Sequence, residues 1–202
     1  MMINIAVLVS GGGTNLQALL DAQEAGKIPH GKIVLVLASN EKAYALERAK
    51  NHHVETAVVR RKDYGSQDEF DQVLIQTLHE HHIDMIILAG YLSIIGGHVI
   101  DCYRDKIINI HPSLIPSFCG KGFYGLRVHE AALERGVKVT GATVHYVNEI
   151  PDGGKIILQK AVAIEDGDTP EVLQRRVMEQ AEWILLPKAA EMVAQKLDEE
   201  KA

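Results

Sequence analysis

The run Ile3-Asn4-Ile5-Ala6-Val7-Leu8-Val9-Ser10-Gly11-Gly12-Gly13-Thr14-Asn15 is apolar through Val9 except at Asn4, then reaches Ser10 and three glycines, where it passes into helical periodicity. Such a run reads as a buried first strand that turns directly into a helix. It has no basic segment before it and is too short to span a bilayer, so it reads neither as a signal peptide nor as a membrane anchor.

The same alternation continues outward from this unit. Apolar runs of strand length are expected at Lys32 to Ala38, Thr56 to Val59, Asp84 to Ala89 and Lys106 to Ile110, with helical stretches at Asn15 to Ala25, Ala43 to Asn51, Gln67 to His82 and Ile94 to Asp101. Strands alternating with helices predict an α/β domain with a mostly parallel sheet. After Ile110 the rhythm changes to a Pro- and Gly-rich loop from Pro112 to Gly125, a helix over Leu126 to Arg135, and strand-like runs at Lys138 to Val147 and Lys155 to Ala163. Asn148 to Gly154 is too short for a parallel crossover, so these last two strands should be antiparallel neighbours in a mixed sheet of about seven strands. A long helix from about Thr169 to Lys196 should close the chain, bent or split at Pro187.

Bulk properties narrow the function. Residues 1–202 read as one domain, since the composition does not shift along the chain, and 47% hydrophobic with 24% charged residues is ordinary for a globular protein. A net charge of -6 and no basic run longer than Arg60-Arg61-Lys62 argue against a nucleic-acid-binding face. Cys102 and Cys119 are too few for a disulfide framework and read as free thiols in a reducing, cytoplasmic setting.

In an open α/β sheet, ligands bind where strands end and helices begin. Ser10 to Asn15 occupies one such edge, where backbone N–H groups and a helix N-terminus can converge on an anion. The loop is not G-x-G-x-x-G and carries no P-loop lysine, so a single phosphate ester fits better than a dinucleotide or triphosphate. A plain tight turn with Thr14 or Asn15 as the helix cap is the other reading. At the end of the fifth strand, period-two alternation places Asn109 and His111 on one face. An amide that donates hydrogen bonds and an imidazole that carries a proton suit attack of an amine on an acyl carbon; the pair could equally anchor the proline-rich loop. Asp152, in the turn after the sixth strand, is a carboxylate partner, and His145 is a second titratable candidate or a structural histidine. The clusters His79, His81, His82 and His52, His53 lack metal-ligand spacing, and no metal is expected.

The segments Ser-Gly-Gly-Gly-Thr-Asn, Leu88-Ala89-Gly90-Tyr91, Ile108-Asn109-Ile110-His111-Pro112-Ser113-Leu114-Ile115-Pro116, Gly141 to Val147 and Asp152-Gly153-Gly154 resemble, in order and spacing, the folate-dependent glycinamide ribonucleotide formyltransferases over nearly the whole chain. The resemblance implies a single Rossmann-like formyltransferase domain, with ribonucleotide phosphate binding in its N-terminal half and catalysis and folate binding in its C-terminal half. It implies 10-formyltetrahydrofolate as formyl donor, glycinamide ribonucleotide as acceptor, and Asn109, His111 and Asp152 as the catalytic trio, with the His111 pKa raised by Asp152. It further implies ribonucleotide contacts at Gly13, Thr14, Asn15, Glu179 and Glu182, and folate contacts at Gln67, Leu92, Ser93, Ile94, Ile95, Asn109, Asn148, Glu149, Ile150 and Pro151. Ser93, Gln67 and Lys155 depart from the residues many relatives carry, and Arg60, Arg61 and Lys62 are the nearby cations for an anionic folate tail. The glycine-rich run Phe118 to Gly125 reads as a mobile flap or a surface loop.

Two related enzymes share this chemistry. A formyltetrahydrofolate hydrolase passes the formyl group to water and usually has a domain before the first strand, for which Ile3 leaves no room. A methionyl-tRNA formyltransferase adds an RNA-binding domain beyond the last helix. A folate- or nucleotide-binding module without turnover is the non-enzymatic alternative. A homodimer is compatible with the sequence.

Overall fold

The computed structural model describes residues 2–201. Seven strands, β1 (Ile3–Val9), β2 (Gly31–Ala38), β3 (Glu55–Val58), β4 (Met85–Leu88), β5 (Ile107–His111), β6 (Val139–Tyr146) and β7 (Ile156–Ala163), form one sheet in the order β3-β2-β1-β4-β5-β6-β7. The pairs among β1 to β5 are parallel, and β5–β6 and β6–β7 are antiparallel, as the short 148–154 connection requires. This is the mixed, mostly parallel α/β sheet expected from the alternation of apolar runs.

The central strands β1, β2, β4 and β5 feed two cores. Along β1, Ile3, Ile5, Val7 and Val9 face the core beneath α1 (Thr14–Glu24) and α7 (Trp183–Lys201). Ala6 and Leu8 face the opposite core under α3 (Gln67–Glu80) and α4 (Gly97–Cys102). Burial on both faces is why β1 reads as a continuous apolar run and not as an alternating one. The N-termini of α3 and of α6 (Pro170–Val177) are capped by Ser66 and Thr169, whose hydroxyls accept from the N–H groups of Glu69 and Val172. No helix among the described residues is long and apolar enough to cross a membrane.

Two expectations need correction. The closing helix is interrupted at Met178–Glu182, a π-type turn in which the Trp183 N–H reaches the Met178 carbonyl, while Pro187 lies inside α7. The wide turn ends at Trp183, the residue whose carbonyl the proline ring would crowd, so the break falls one turn upstream of the proline. The helix expected from Ile94 begins only at Gly97, because Gly96 is extended with its N–H donated to Asp71 Oδ1, and Ile94 and Ile95 remain in the loop before it.

The strand order reverses between β1 and β4. Connections leaving β1 run to β2 and β3 on one side, then return to β4 and β5 on the other. The loops after β1 and β4 therefore flank a crevice at the carboxyl edge, the place where such sheets bind ligands.

Candidate active site

The glycine loop after β1 is shaped by its neighbours on α2 (Ala45–Asn51). The Gly11 carbonyl accepts from the Ala45 N–H at 3.1 Å and the Gly12 carbonyl from Arg48 Nε at 2.8 Å. With these carbonyls turned onto α2, the N–H groups opening α1 are left for a ligand. Gly13 adopts φ +73°, and a Cβ there would stand 2.6 Å from the Ala45 Cβ, so both the angle and the space require glycine. Neither Thr14 nor Asn15 caps the helix, which overturns the tight-turn reading in that detail. Thr14 Oγ1 lies 3.7 Å from Met178 Sδ, and Asn15 Nδ2 donates to Glu182 Oε2 at 2.7 Å. Glu182 is buried, with 6% of its surface exposed, and that burial, only partly offset by the Asn15 bond, pushes its carboxyl up to about 7.

The loop is tied to the next crevice wall. Ser10 Oγ accepts from the Leu92 N–H at 2.8 Å and from Ser39 Oγ at 2.7 Å, so the first residue of the glycine loop holds the first turn of the loop after β4.

A cavity of about 460 Å³ opens beside this junction, lined by Tyr91, Leu92, Asn109, His111, Phe123 and Asp152 among others. Asn109 and His111 point into it from β5 as the alternation predicts, and Asp152 enters from the β6–β7 turn with φ +55°. His111 Nδ1 and Asp152 Oδ2 are 3.5 Å apart, and His145 Nε2 lies 3.5 Å from Asp152 Oδ1 and 3.2 Å from Asn109 Nδ2. His145 Nδ1 donates to the Tyr146 carbonyl at 2.8 Å, leaving Nε2 to accept from Asn109. The two histidines are 4% and 2% exposed, so His145 is a buried bridge between Asn109 and Asp152.

The expected elevation of the His111 pKa is overturned. Burial is the dominant influence and lowers it, outweighing the Asp152 carboxylate and the Phe118 carbonyl, with His145 lowering it further. Asp152 moves the same way for different reasons. Burial would raise it, but the neighbouring His145 and His111 rings and the Gly120 N–H, which donates at 2.8 Å, together hold it below the usual carboxylate range.

The glycine-rich loop closes over these groups, since Phe118 O accepts from His111 Nε2 at 2.9 Å. The loop's foot is fixed by Thr143, whose buried hydroxyl donates to Ser113 O and accepts from the Ile115 N–H and Gln159 Nε2. Thr143 and Gln159 were not anticipated from the sequence, although Thr143 is two residues from His145 on the same strand face.

Other predicted contacts are dispersed. Leu92, Ile94 and Ile150 are exposed at 65%, 77% and 65%, whereas Ile95 is buried. Glu149 faces outward to Arg104, Asn148 Oδ1 accepts from the Ile150 N–H, and Glu179 is exposed and paired with Arg175. The Gln67 amide is engaged with Arg61, Asp71 and the Ile94 carbonyl. Arg60 is occupied by Asp63 and Glu41. A larger groove of about 1020 Å³ between α1 and α7 is lined by Thr14 and Arg48 but contains none of the trio. Among the described residues no group of three or more His, Cys, Asp or Glu is arranged to hold a metal ion.

A family model described as formyl transferase matches residues 3–189. The chain is 42% identical over 192 residues to the trifunctional purine biosynthetic protein adenosine-3 of Gallus gallus, covering 95% of this chain and 18% of that relative. The chain thus spans less than a fifth of that protein. It is 41% identical over 179 residues to the phosphoribosylglycinamide formyltransferase of Haemophilus influenzae, covering 89% of this chain and 82% of the relative. The crystal structure of glycinamide ribonucleotide transformylase 1 from Symbiobacterium toebii matches with a TM-score of 0.90 at 41% identity, over 96% of this chain and 89% of that one.

Proposed function

The chain belongs to the formyl transferase family, and from that premise we propose that it moves the formyl group of 10-formyltetrahydrofolate to the amine of glycinamide ribonucleotide. The products are N-formylglycinamide ribonucleotide and tetrahydrofolate, a step of purine biosynthesis, and we place the enzyme in the cytoplasm. Residues 1–202 act as one formyltransferase domain. The observation that carries the reading is the meeting of Asn109, His111 and Asp152 in one cavity next to a glycine loop whose carbonyls are turned away.

The acceptor's phosphate sits on the N–H groups of Gly13, Thr14 and Asn15, and Glu182, held by Asn15, receives its ribose hydroxyls. Glu179 contributes less, because it faces Arg175 and solvent. The folate ring lies between Leu92 to Ile95 and Asn148 to Pro151, which places its formyl group over Asn109 and His111.

The amine nitrogen attacks the formyl carbon and the carbonyl oxygen becomes an oxyanion. Asn109 has two N–H groups; one is taken by His145 Nε2 and the other donates to that oxygen. His111 is neutral when buried in the free chain, and the developing negative charge beside it, together with Asp152, favours its protonated form at the moment it is needed. Collapse breaks the bond from carbon to N10, and the proton released by the amine passes to N10 past Asp152.

Following deformylation of a 10-formyl folate with and without glycinamide ribonucleotide tests the reading. Turnover that depends on the ribonucleotide is expected. Formate release without it would instead indicate the hydrolase, and no turnover in either case would indicate a binding module.

A further inference from the structure

The wall on which the donor is placed above is held from behind by a single turn of helix. Gln67 and Asp71 stand four residues apart on α3 and therefore share a face. Asp71 is fully buried, yet it lies among the apolar residues Phe70, Leu74 and Leu78 of the same helix. Burying a carboxyl there is costly unless it is hydrogen-bonded. Its Oδ1 accepts from the Gly96 N–H at 3.1 Å and from Gln67 Nε2 at 2.8 Å. Gln67 Nε2 also reaches the Ile94 carbonyl at 3.2 Å, and Gln67 Oε1 accepts from Arg61 Nε at 3.1 Å.

The fit is close. A Cβ on Gly96 would stand 2.0 Å from Asp71 Oδ2, so the backbone can approach the carboxyl only because this residue is glycine. Both ends of the exposed segment are thereby fixed. Leu92 N–H is held by Ser10 at one end, and Ile94 O and Gly96 N–H are held by α3 at the other. Between these anchors Leu92 and Ile94 project into solvent.

We propose that Asp71 and Gln67 are positioning residues for the formyl donor, setting the height and angle of the 92–96 wall without touching the folate themselves. This rests on the reading that the wall receives the donor. It replaces a direct folate contact at Gln67 with an indirect one, since the side-chain amide is already turned to Arg61, Asp71 and Ile94. Loss of either anchor lets the wall relax, so the donor pays to order it on binding, whereas the glycine loop, held by α2, is unaffected.

The test compares Gln67→Leu, Asp71→Ala and the conservative Asp71→Asn, whose side-chain oxygen can still accept both hydrogen bonds. Equilibrium binding of 10-formyl folate is expected to weaken about five- to tenfold in the first two variants and to return close to the parent value in Asp71→Asn. Ribonucleotide affinity and kcat at saturating donor should stay within about twofold. In the ligand-free protein, the Gly96 amide should exchange hydrogen faster in Asp71→Ala. A donor lacking the glutamate tail should show the same factor for Gln67→Leu. Disappearance of that factor with the shortened donor would overturn the proposal in favour of a direct tail contact. Equal losses for both substrates, or unchanged folate binding, would also overturn it. Should Asp71→Ala fail to fold, Gln67→Leu on the half-exposed rim decides the matter alone. Failure of the parent protein to bind any folate would instead overturn the functional reading, and Gly96 exchange would still report whether the anchor exists.

Discussion

Phe118 presents its carbonyl oxygen to His111 Nε2 at 2.9 Å, while two residues later the Gly120 N–H donates to Asp152 Oδ2 at 2.8 Å. The glycine-rich loop thus bonds to both His111 and Asp152, the two groups assigned above to the proposed reaction. Under the proposed mechanism its backbone stands where substrate atoms would make the same bonds, so turnover is expected to require this loop to yield.

His111 should accordingly titrate below the ordinary histidine range in the free protein, because burial outweighs Asp152. Asp152→Asn removes an influence that raises the value, so it should move the His111 midpoint lower still and reduce kcat by roughly 10²-fold or more. NMR of ring-labelled histidine, read beside steady-state rates, checks both. An upward movement in Asp152→Asn would contradict the assignment of the pair.

Glu182 leads to a trade between stability and binding. Its native value of about 7 lies above the ordinary glutamate value of 4.5, so the folded state retains a proton that the unfolded chain has lost across that window. Its contribution is complete below pH of about 4.5 and is lost as pH rises to about 7. Glu182→Gln cannot ionise and can still accept from Asn15, so at pH 8 it should be more stable than the parent by up to roughly 3 kcal/mol. Ribonucleotide affinity should fall, since a carboxylate accepting from ribose hydroxyls is replaced by a weaker acceptor. Denaturant unfolding at pH 5 and pH 8, with ligand binding at pH 8, separates the two effects.

The legibility of these features follows from the range of the interactions that make them. Ile3 to Val9 and the connection from Asn148 to Gly154 determine strands and pairing sense through local period and chain length, and the sheet followed from them. Asn109 and His111 share a face because a strand alternates, so that part of the site was also readable. The sign of the His111 shift was not, because it depends on how completely Phe118, His145 and the sheet exclude water, which no spacing encodes. Gln67 and Ile94 are far apart in sequence and met only after α3 packed on the second core. The break at Met178–Glu182 was likewise hidden, since Pro187 marks strain in a helix but not the turn that absorbs it.

Gly13→Ala should damage the acceptor site selectively. The substitution puts a side chain at φ +73° and 2.6 Å from the Ala45 Cβ, forcing α1 and α2 apart or flattening the loop. A loss of about 1 to 3 kcal/mol in stability is expected. Ribonucleotide affinity should fall by more than tenfold, since the N–H groups of Gly13 to Asn15 lose their common direction. Folate affinity should change little, which calorimetric titration with each ligand would establish.

The last prediction concerns a histidine outside the proposed machinery. His129 on α5 (Leu126–Arg135) is fully buried, neither ring nitrogen has a protein partner, and burial, with a smaller push from His111, lowers it from 6.5 to about 4. Here the unfolded chain binds the proton that the folded state refuses. The stability it confers is present above pH of about 6.5 and is lost as pH falls towards 4. His129→Leu abolishes this titration and leaves no polar ring atom to desolvate. Between pH 7 and pH 5 the parent should lose on the order of 2 kcal/mol through this group, while the variant's curve should be flatter by that amount. At pH 7 the variant should be at least as stable as the parent. Urea midpoints across this range measure the difference directly, and parallel curves for the two proteins would mean that His129 is protonated, or hydrated, in the native state.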